Sequence, residues 1–174
     1  MTTGLYGGGS GGKGVQATHG LDIPGPTGQP MVVKIGGEES RGAYSLVEYS
    51  HAAGAKGPPA HVHHHHEEAF MVLEGELTLM VDGTPVTVGP GQSAVVPRGC
   101  VHQPTNTSDT PVRFVFINSP AMDDFFVALS QLVAEHGGQP PTDAVLELGE
   151  RHDCIFVDLT GGGSVKLTNE GDGG

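Results

Sequence analysis

The sequence has no tryptophan, only 5% aromatic residues and only 8 basic residues against 20 acidic ones. The resulting formal charge of −12 argues against nucleic acid or an anionic membrane surface as a partner, since both require a basic protein surface. The two cysteines, Cys100 and Cys154, form no CxxC pair and are too few for a disulfide framework. We interpret them as two unrelated buried or partly buried thiols.

Long apolar runs are also missing. None approaches the roughly 18 residues of a transmembrane helix, and the start, MTTGLYGGGSGG, lacks the apolar region of a secretory signal. These absences predict a cytoplasmic protein. Glycine supplies 7 of the first 14 residues and 6 of the last 14. Such segments have little apolar surface to offset the entropy of ordering, so residues 1–30 and 161–174 are expected to be flexible tails.

Between residues 31 and 119, short apolar runs recur every eight to twelve positions and predict one β-rich unit. The segments between the runs, such as DGT, GPGQ and PRG, are rich in residues that favour turns, because glycine adopts a positive φ and proline restricts φ. Many short, evenly spaced strands are typical of a sandwich or barrel. The runs are MVVKIG, AYSLVEY, AFMVLEG, ELTLMVDG, TPVTVG, SAVVP and RFVFIN.

The pattern becomes helical after the last of these strands. In SPAMDDFFVALSQLVAEHGG, apolar residues recur at helical spacing from Phe125 to Val133, and a Gly-Gly pair closes the run. TDAVLELGERH predicts a second, shorter helix, and CIFVDL a further strand. We therefore expect an all-β fold in which residues 120–160 form a helical extension that packs on the barrel and shields its mouth or an edge. Phe125 and Phe126 are interpreted as packing residues.

The stretch AHVHHHHEEAF holds five histidines within six positions. Side chains alternate along a strand, so His61 and His63 share one face. A turn after His63 then leads into a second strand, on which Glu68 shares its face with Phe70. Two imidazoles and one carboxylate directed inward are suitable ligands for a single metal ion.

A further donor comes from the segment GQSAVVPRGCVHQPTN, in which His102 lies early in the strand that follows a Pro-Arg-Gly turn. The alternative is that these are surface or core histidines unrelated to a metal. His64, His65 and His66 are interpreted as exposed turn residues. A loosely held second metal on them stays open, because imidazole binds most divalent transition ions. No function is assigned to four isolated histidines, His19, His51, His136 and His152.

The two histidine segments resemble the two motifs of the cupin family. The first motif is matched by His61-x-His63-x4-Glu68-x6-Gly75, and the second by Gly91-x5-Pro97-x-Gly99-x2-His102-x3-Asn106. One departure is Ala55, which stands where the first motif usually has a glycine. The resemblance spans residues 30–119 and implies a cupin double-stranded β-helix, or jelly-roll barrel. It also implies one divalent metal ion held by His61, His63, Glu68 and His102, with Glu68 leaving the ion to act as a base.

The helical tail makes the chain resemble small bacterial cupins related to quercetin (flavonol) dioxygenases. The resulting prediction is a mononuclear-metal oxygenase that acts on a small enol- or phenol-type organic substrate with O2. Two alternatives stay open: a non-redox cyclase, isomerase or lyase of polyketide-type metabolism, and a ligand-binding cupin without turnover. The donor set does not distinguish Fe, Ni, Co, Mn and Zn. A homodimer paired through edge strands is expected.

The sequence also predicts the character of the ligand cavity. The low aromatic content and the absence of tryptophan do not indicate a large stacking pocket. The inward face that carries Phe70 and Val72 indicates an apolar cavity suited to a small organic ligand.

Overall fold

The computed structural model describes residues 19–25 and 29–157, and within these ranges the chain forms eleven strands and three helices. Residues 161–174 and most of the predicted N-terminal tail lie outside the described residues. The strands are β1 (Leu21–Pro24), β2 (Pro30–Ile35), β3 (Ser45–His51), β4 (His61–Val62), β5 (Glu67–Glu74), β6 (Leu77–Val81), β7 (Thr84–Val88), β8 (Ser93–Val96), β9 (His102–Thr105), β10 (Val112–Ser119) and β11 (Ile155–Phe156). The helices are α1 (Gly37–Ser40), α2 (Asp123–Glu135) and α3 (Thr142–Arg151).

The strands form two antiparallel sheets with a shared core. One sheet has the order β1-β2-β3-β10-β5-β8, and the other has the order β11-β4-β9-β6-β7. Each sheet therefore pairs strands that are distant in the sequence, such as β3 with β10 and β4 with β9. This is the arrangement of a jelly-roll barrel. It confirms the predicted all-β fold with helices near the C-terminal end, and each of the seven predicted runs overlaps a strand.

The core follows from the period of two in the central strands. In β3 and β10, buried residues alternate with partly exposed ones, as expected where one face of a strand packs inward. Phe116 of β10 is in register with Val47 of β3 and Phe70 of β5, so neighbouring strands present apolar side chains at the same level. Leu77 and Leu79 of β6 join this core from the opposite sheet and are fully buried.

The barrel begins earlier in the sequence than predicted. All four residues of β1 pair with β2, and Ile23 is buried in the main core. This corrects the predicted boundary at residue 31. A short strand next to glycine-rich sequence has no clear pattern of its own, and its burial comes from pairing with β2.

The helices α2 and α3 pack together at one end of the barrel. Their shared apolar cluster includes Phe125, Leu148 and Cys154, and the ring of Phe126 lies 5.4 Å from that of Phe116 in the barrel. The cluster joins the helical pair to the strands. None of the described helices is long and apolar enough to cross a membrane.

Two sheet edges are formed by β8 and β7. Val95 on β8 is 64% exposed. The homodimer expected from edge-strand pairing stays a prediction.

Candidate metal centre

The structure brings together the four side chains that the sequence analysis predicted as metal ligands. His61 of β4 and His102 of β9 are register partners in one sheet, and Glu68 lies on β5 of the other sheet. His63 directly follows β4. All four are buried, with exposures between 1% and 6%. Their donor atoms all lie within 4.8 Å of one another, so the cluster could hold a metal ion.

Each of the three imidazoles is oriented by a backbone carbonyl that accepts its Nδ1–H. The pairs are His61 with Pro59 (2.9 Å), His63 with Asp153 (2.5 Å) and His102 with Cys100 (3.1 Å). A hydrogen bond at Nδ1 fixes the tautomer and the ring orientation, as is typical for metal-binding histidines. The Nε2 atoms are thereby left to bind an ion or another partner.

Glu68 is the charged centre of the cluster. Its Oε2 accepts a hydrogen bond from His102 Nε2 at 2.8 Å, and its Oε1 lies 3.9 Å from His63 Nε2. Burial alone would raise the pKa of this carboxyl, but the hydrogen bond from His102 and the nearby His63 lower the pKa to about 2. Burial lowers the pKa of His102, yet the hydrogen bond and charge of Glu68 outweigh this and raise it. Without an ion, His102 and Glu68 form a buried, hydrogen-bonded pair.

Asn118 is a further member of the site that the sequence reasoning missed. It is fully buried on β10, directly opposite Glu68 in register, and its Nδ2 donates to Glu68 Oε1. In the sequence, only its place on the inward-facing side of β10 could have indicated that Asn118 is buried near the site. Because Asn118 and His102 each donate to one carboxylate oxygen, the orientation of Glu68 is fixed from both sides.

The residues present fit a divalent transition ion. His63 Nε2 is buried and has no hydrogen-bond partner. Burial and the neighbouring His102 lower the pKa of His61 to about 3, so this ring is neutral and can donate a lone pair near pH 7. Three imidazole nitrogens and one carboxylate oxygen are a common donor set for such ions.

The turn that follows His63 is held by Asp153, which lies just after α3. Its carboxylate accepts hydrogen bonds from the backbone N–H of His64 (3.0 Å) and His65 (2.6 Å) and pairs with His66 Nδ1 (2.8 Å). The side chains of His64 and His65 are exposed, as predicted for turn residues, whereas that of His66 is partly buried because it pairs with Asp153, contrary to the prediction. His63, His66 and Asp153 form a second group of close donor atoms. Hydrogen bonds account for that group without a second ion.

We expect Asp153→Ala to weaken metal binding about 10-fold, the lower end of the usual effect of removing an outer partner of a ligand. The change removes three hydrogen bonds from the turn that joins His63 to Glu68. Asp153 has a φ of +58°, a conformation that asparagine also tolerates, so Asp153→Asn is the matched control and should lose less affinity. Competition with a chromophoric zinc chelator measures both. Unchanged affinity in Asp153→Ala would show that the turn does not influence the ligands.

An apolar cavity of about 280 Å³ adjoins the cluster, and His61, His63 and Glu68 form part of its wall. The cavity confirms the predicted apolar character, but the low aromatic content of the chain did not indicate how many phenylalanines line it. Every phenylalanine in the sequence lines this cavity, because β5, β10, β11 and α2 all contribute residues to its wall. Phe125 and Phe126 therefore line the cavity as well as pack the helix. The six are Phe70, Phe114, Phe116, Phe125, Phe126 and Phe156.

Residues 47–118 match the family model described as "Cupin domain". This match covers less than half of the chain. Over 122 residues the chain is 43% identical to a protein named "Probable oxidoreductase yanE" from Aspergillus niger. That match covers 68% of this chain and 45% of the relative, so the chain spans less than half the length of that protein.

Two solved structures are also similar. One is the polyketide cyclase RemF from Streptomyces resistomycificus, with 25% identity and a TM-score of 0.50 over 62% of this chain and 78% of that chain. The other is a sugar phosphate isomerase of the cupin superfamily from Silicibacter pomeroyi, with 24% identity and a TM-score of 0.47 over 59% of this chain and 71% of that chain.

Proposed function

We propose that this protein is a mononuclear metal-dependent enzyme of the oxygenase type, acting on a small enol- or phenol-type organic molecule with O2. The observation that carries the proposal is the buried cluster of three imidazoles and one carboxylate in the wall of an apolar, phenylalanine-lined cavity. The relative named as an oxidoreductase, 43% identical over 122 residues, supports the redox reaction.

His61, His63, His102 and Glu68 would hold one divalent ion. When bound, such an ion polarises a substrate oxygen and, if it is redox-active (Fe, Ni, Co or Mn), activates O2. The phenylalanines of the cavity would orient a planar substrate by ring contacts and keep water away from it.

Glu68 would be the base. It is the only carboxylate that lines the cavity among the described residues. Asn118 donates to Oε1, and His102 Nε2 would no longer donate to Oε2 once it held the ion, so an enol or phenol hydroxyl near the cluster would transfer its proton to Oε2. A carboxylate with a lowered pKa is a weak base in isolation. Transfer becomes favourable when the substrate hydroxyl is itself acidified by the bound ion.

A second candidate is a non-redox cyclase that uses the same base. It is favoured by the likeness to the polyketide cyclase RemF, at 25% identity and a TM-score of 0.50. In this reaction His61, His63 and His102 would hold the ion, for which zinc would suffice, and its charge would polarise a substrate carbonyl. Glu68 then removes a proton from carbon or oxygen.

Metal analysis combined with O2 consumption tests the proposal. We expect about one transition-metal ion per chain. We also expect O2 uptake that matches the loss of a flavonol or another enolic substrate, with labelled oxygen in the product by mass spectrometry. An isomeric or dehydrated product without O2 uptake would support the cyclase. Stoichiometric binding without any product would contradict both and leave a ligand-binding cupin.

A further inference from the structure

His51 is a buried histidine in the cavity wall that the metal cluster does not use. It is the last residue of β3, is 1% exposed and lines the same cavity as Glu68. Both of its ring nitrogens are buried without a hydrogen-bond partner. Its ring neighbours are the edges or faces of Tyr49 and Phe114, with centroids 5.1 and 5.2 Å away and interplanar angles of 88°. Neither contact satisfies a ring nitrogen.

Two unpaired nitrogens on one buried ring require an explanation, because buried polar atoms are nearly always hydrogen-bonded. Burial lowers the pKa of His51 to about 4, so the ring is neutral near pH 7. A neutral imidazole has one N–H donor and one acceptor nitrogen. The ring can therefore pair with a hydroxyl or with a carbonyl, and neither of its nitrogens has such a partner in the structure.

The position of His51 relative to the metal cluster follows from Gly57 and Pro104. Gly57 has a φ of +69°, and a Cβ there would overlap the carbonyl oxygen of Pro104 and lie 3.2 Å from His51 Cε1. The His51 ring thus lies close to Pro104. Along β9, Pro104 is two residues from His102, which corresponds to about 7 Å of extended strand. Because His51 and Glu68 line the same cavity, a molecule with one oxygen at the cluster can reach His51 by extending along that cavity.

We propose that His51 determines substrate specificity by hydrogen bonding a second polar group of the substrate, a hydroxyl or carbonyl at the end opposite the metal-bound oxygen. This inference rests on the proposed function and narrows its substrate class. The preferred substrate is a planar aromatic compound of at least two fused or linked rings, with an oxygen substituent at each end. The phenylalanines contact its rings, and His51 selects for its far end.

The test compares two probes, 2-naphthol and 2,6-dihydroxynaphthalene, which differ in one distal hydroxyl. Binding is measured by fluorescence titration of zinc-loaded protein. We expect the wild-type protein to bind the diol about 10-fold more tightly, the scale of one net buried hydrogen bond. His51→Phe keeps the aromatic contacts and removes both nitrogens, so it should lose this preference while retaining its zinc. Met31→Leu, at another cavity-lining residue, is the control and should keep the preference.

A preference that persists in His51→Phe would overturn the proposal. Failure of the proposed function would give a different result: the wild-type protein would not bind zinc, or would bind neither of the two naphthols. In that case, thermal stability without ligand decides the role of His51. We expect His51→Phe, or the smaller His51→Leu, to melt no lower than the wild type, because unpaired nitrogens are removed from the interior. A fall of several degrees in both would show that the chain itself satisfies the ring, and would refute the inference.

Discussion

Replacing His63 by alanine is expected to remove tight metal binding and, with it, all turnover. His63 is 3% exposed, and its unpartnered Nε2 belongs to the group of four donors. Loss of an outer partner of a ligand costs 10–100-fold in metal affinity, so loss of the ligand itself should cost more than about 100-fold. Elemental analysis of the purified variant, together with a chelator competition titration, measures this effect.

His65→Ala is the matched control. His65 lies two residues away in the same turn with an exposed side chain, and its link to Asp153 uses the backbone N–H, which alanine keeps. We expect His65→Ala to retain about one ion per chain. Metal loss in His65→Ala combined with retention in His63→Ala would show that the inward register of this segment is misassigned.

Glu68→Gln is expected to keep most of the metal but to lose about 10²–10⁴-fold in turnover, the usual contribution of a general base. Glutamine preserves the side-chain shape and one carbonyl oxygen, which can still accept the hydrogen bond from Asn118. It removes the negative charge and the basicity. The three imidazoles should continue to hold the ion, because three protein ligands suffice in many catalytic sites.

The measurement is metal content and kcat for the same preparation, on the substrate found by the O2 and product screen. Glu67→Gln provides a control, because Glu67 is the adjacent carboxylate on β5 and is exposed. It should leave kcat unchanged. Full activity of Glu68→Gln with its metal retained would remove Glu68 from the acid–base step.

The sequence was sufficient to predict those parts of the molecule that depend on the alternation of side chains along a strand. The period of two placed His61 and His63 on one face and Glu68 on the same face as Phe70, and the structure buries all four. The turn residues between the apolar runs also separated most strands correctly. Both successes have the same cause: strand geometry fixes side-chain direction over short distances.

The parts that the sequence did not predict depend on contacts between distant segments. Asn118 becomes part of the site only because β10 pairs with β5, 50 residues earlier in the chain. His51 had the inward parity of Val47 and Tyr49, but only the assembled cavity shows that its nitrogens lack partners. The aromatic pocket was missed because overall composition does not indicate where six phenylalanines converge.

The hydrogen bond between His63 and the backbone of Asp153 joins residues 90 positions apart. A growing polypeptide that has left the ribosome only as far as α2 already contains every proposed ligand. It still lacks the acceptor for His63 Nδ1 and the carboxylate that holds the histidine turn. During synthesis, the affinity for the ion should therefore rise late, once the segment after α3 has docked. Full metal loading would then mark a chain whose C-terminal helices are in place.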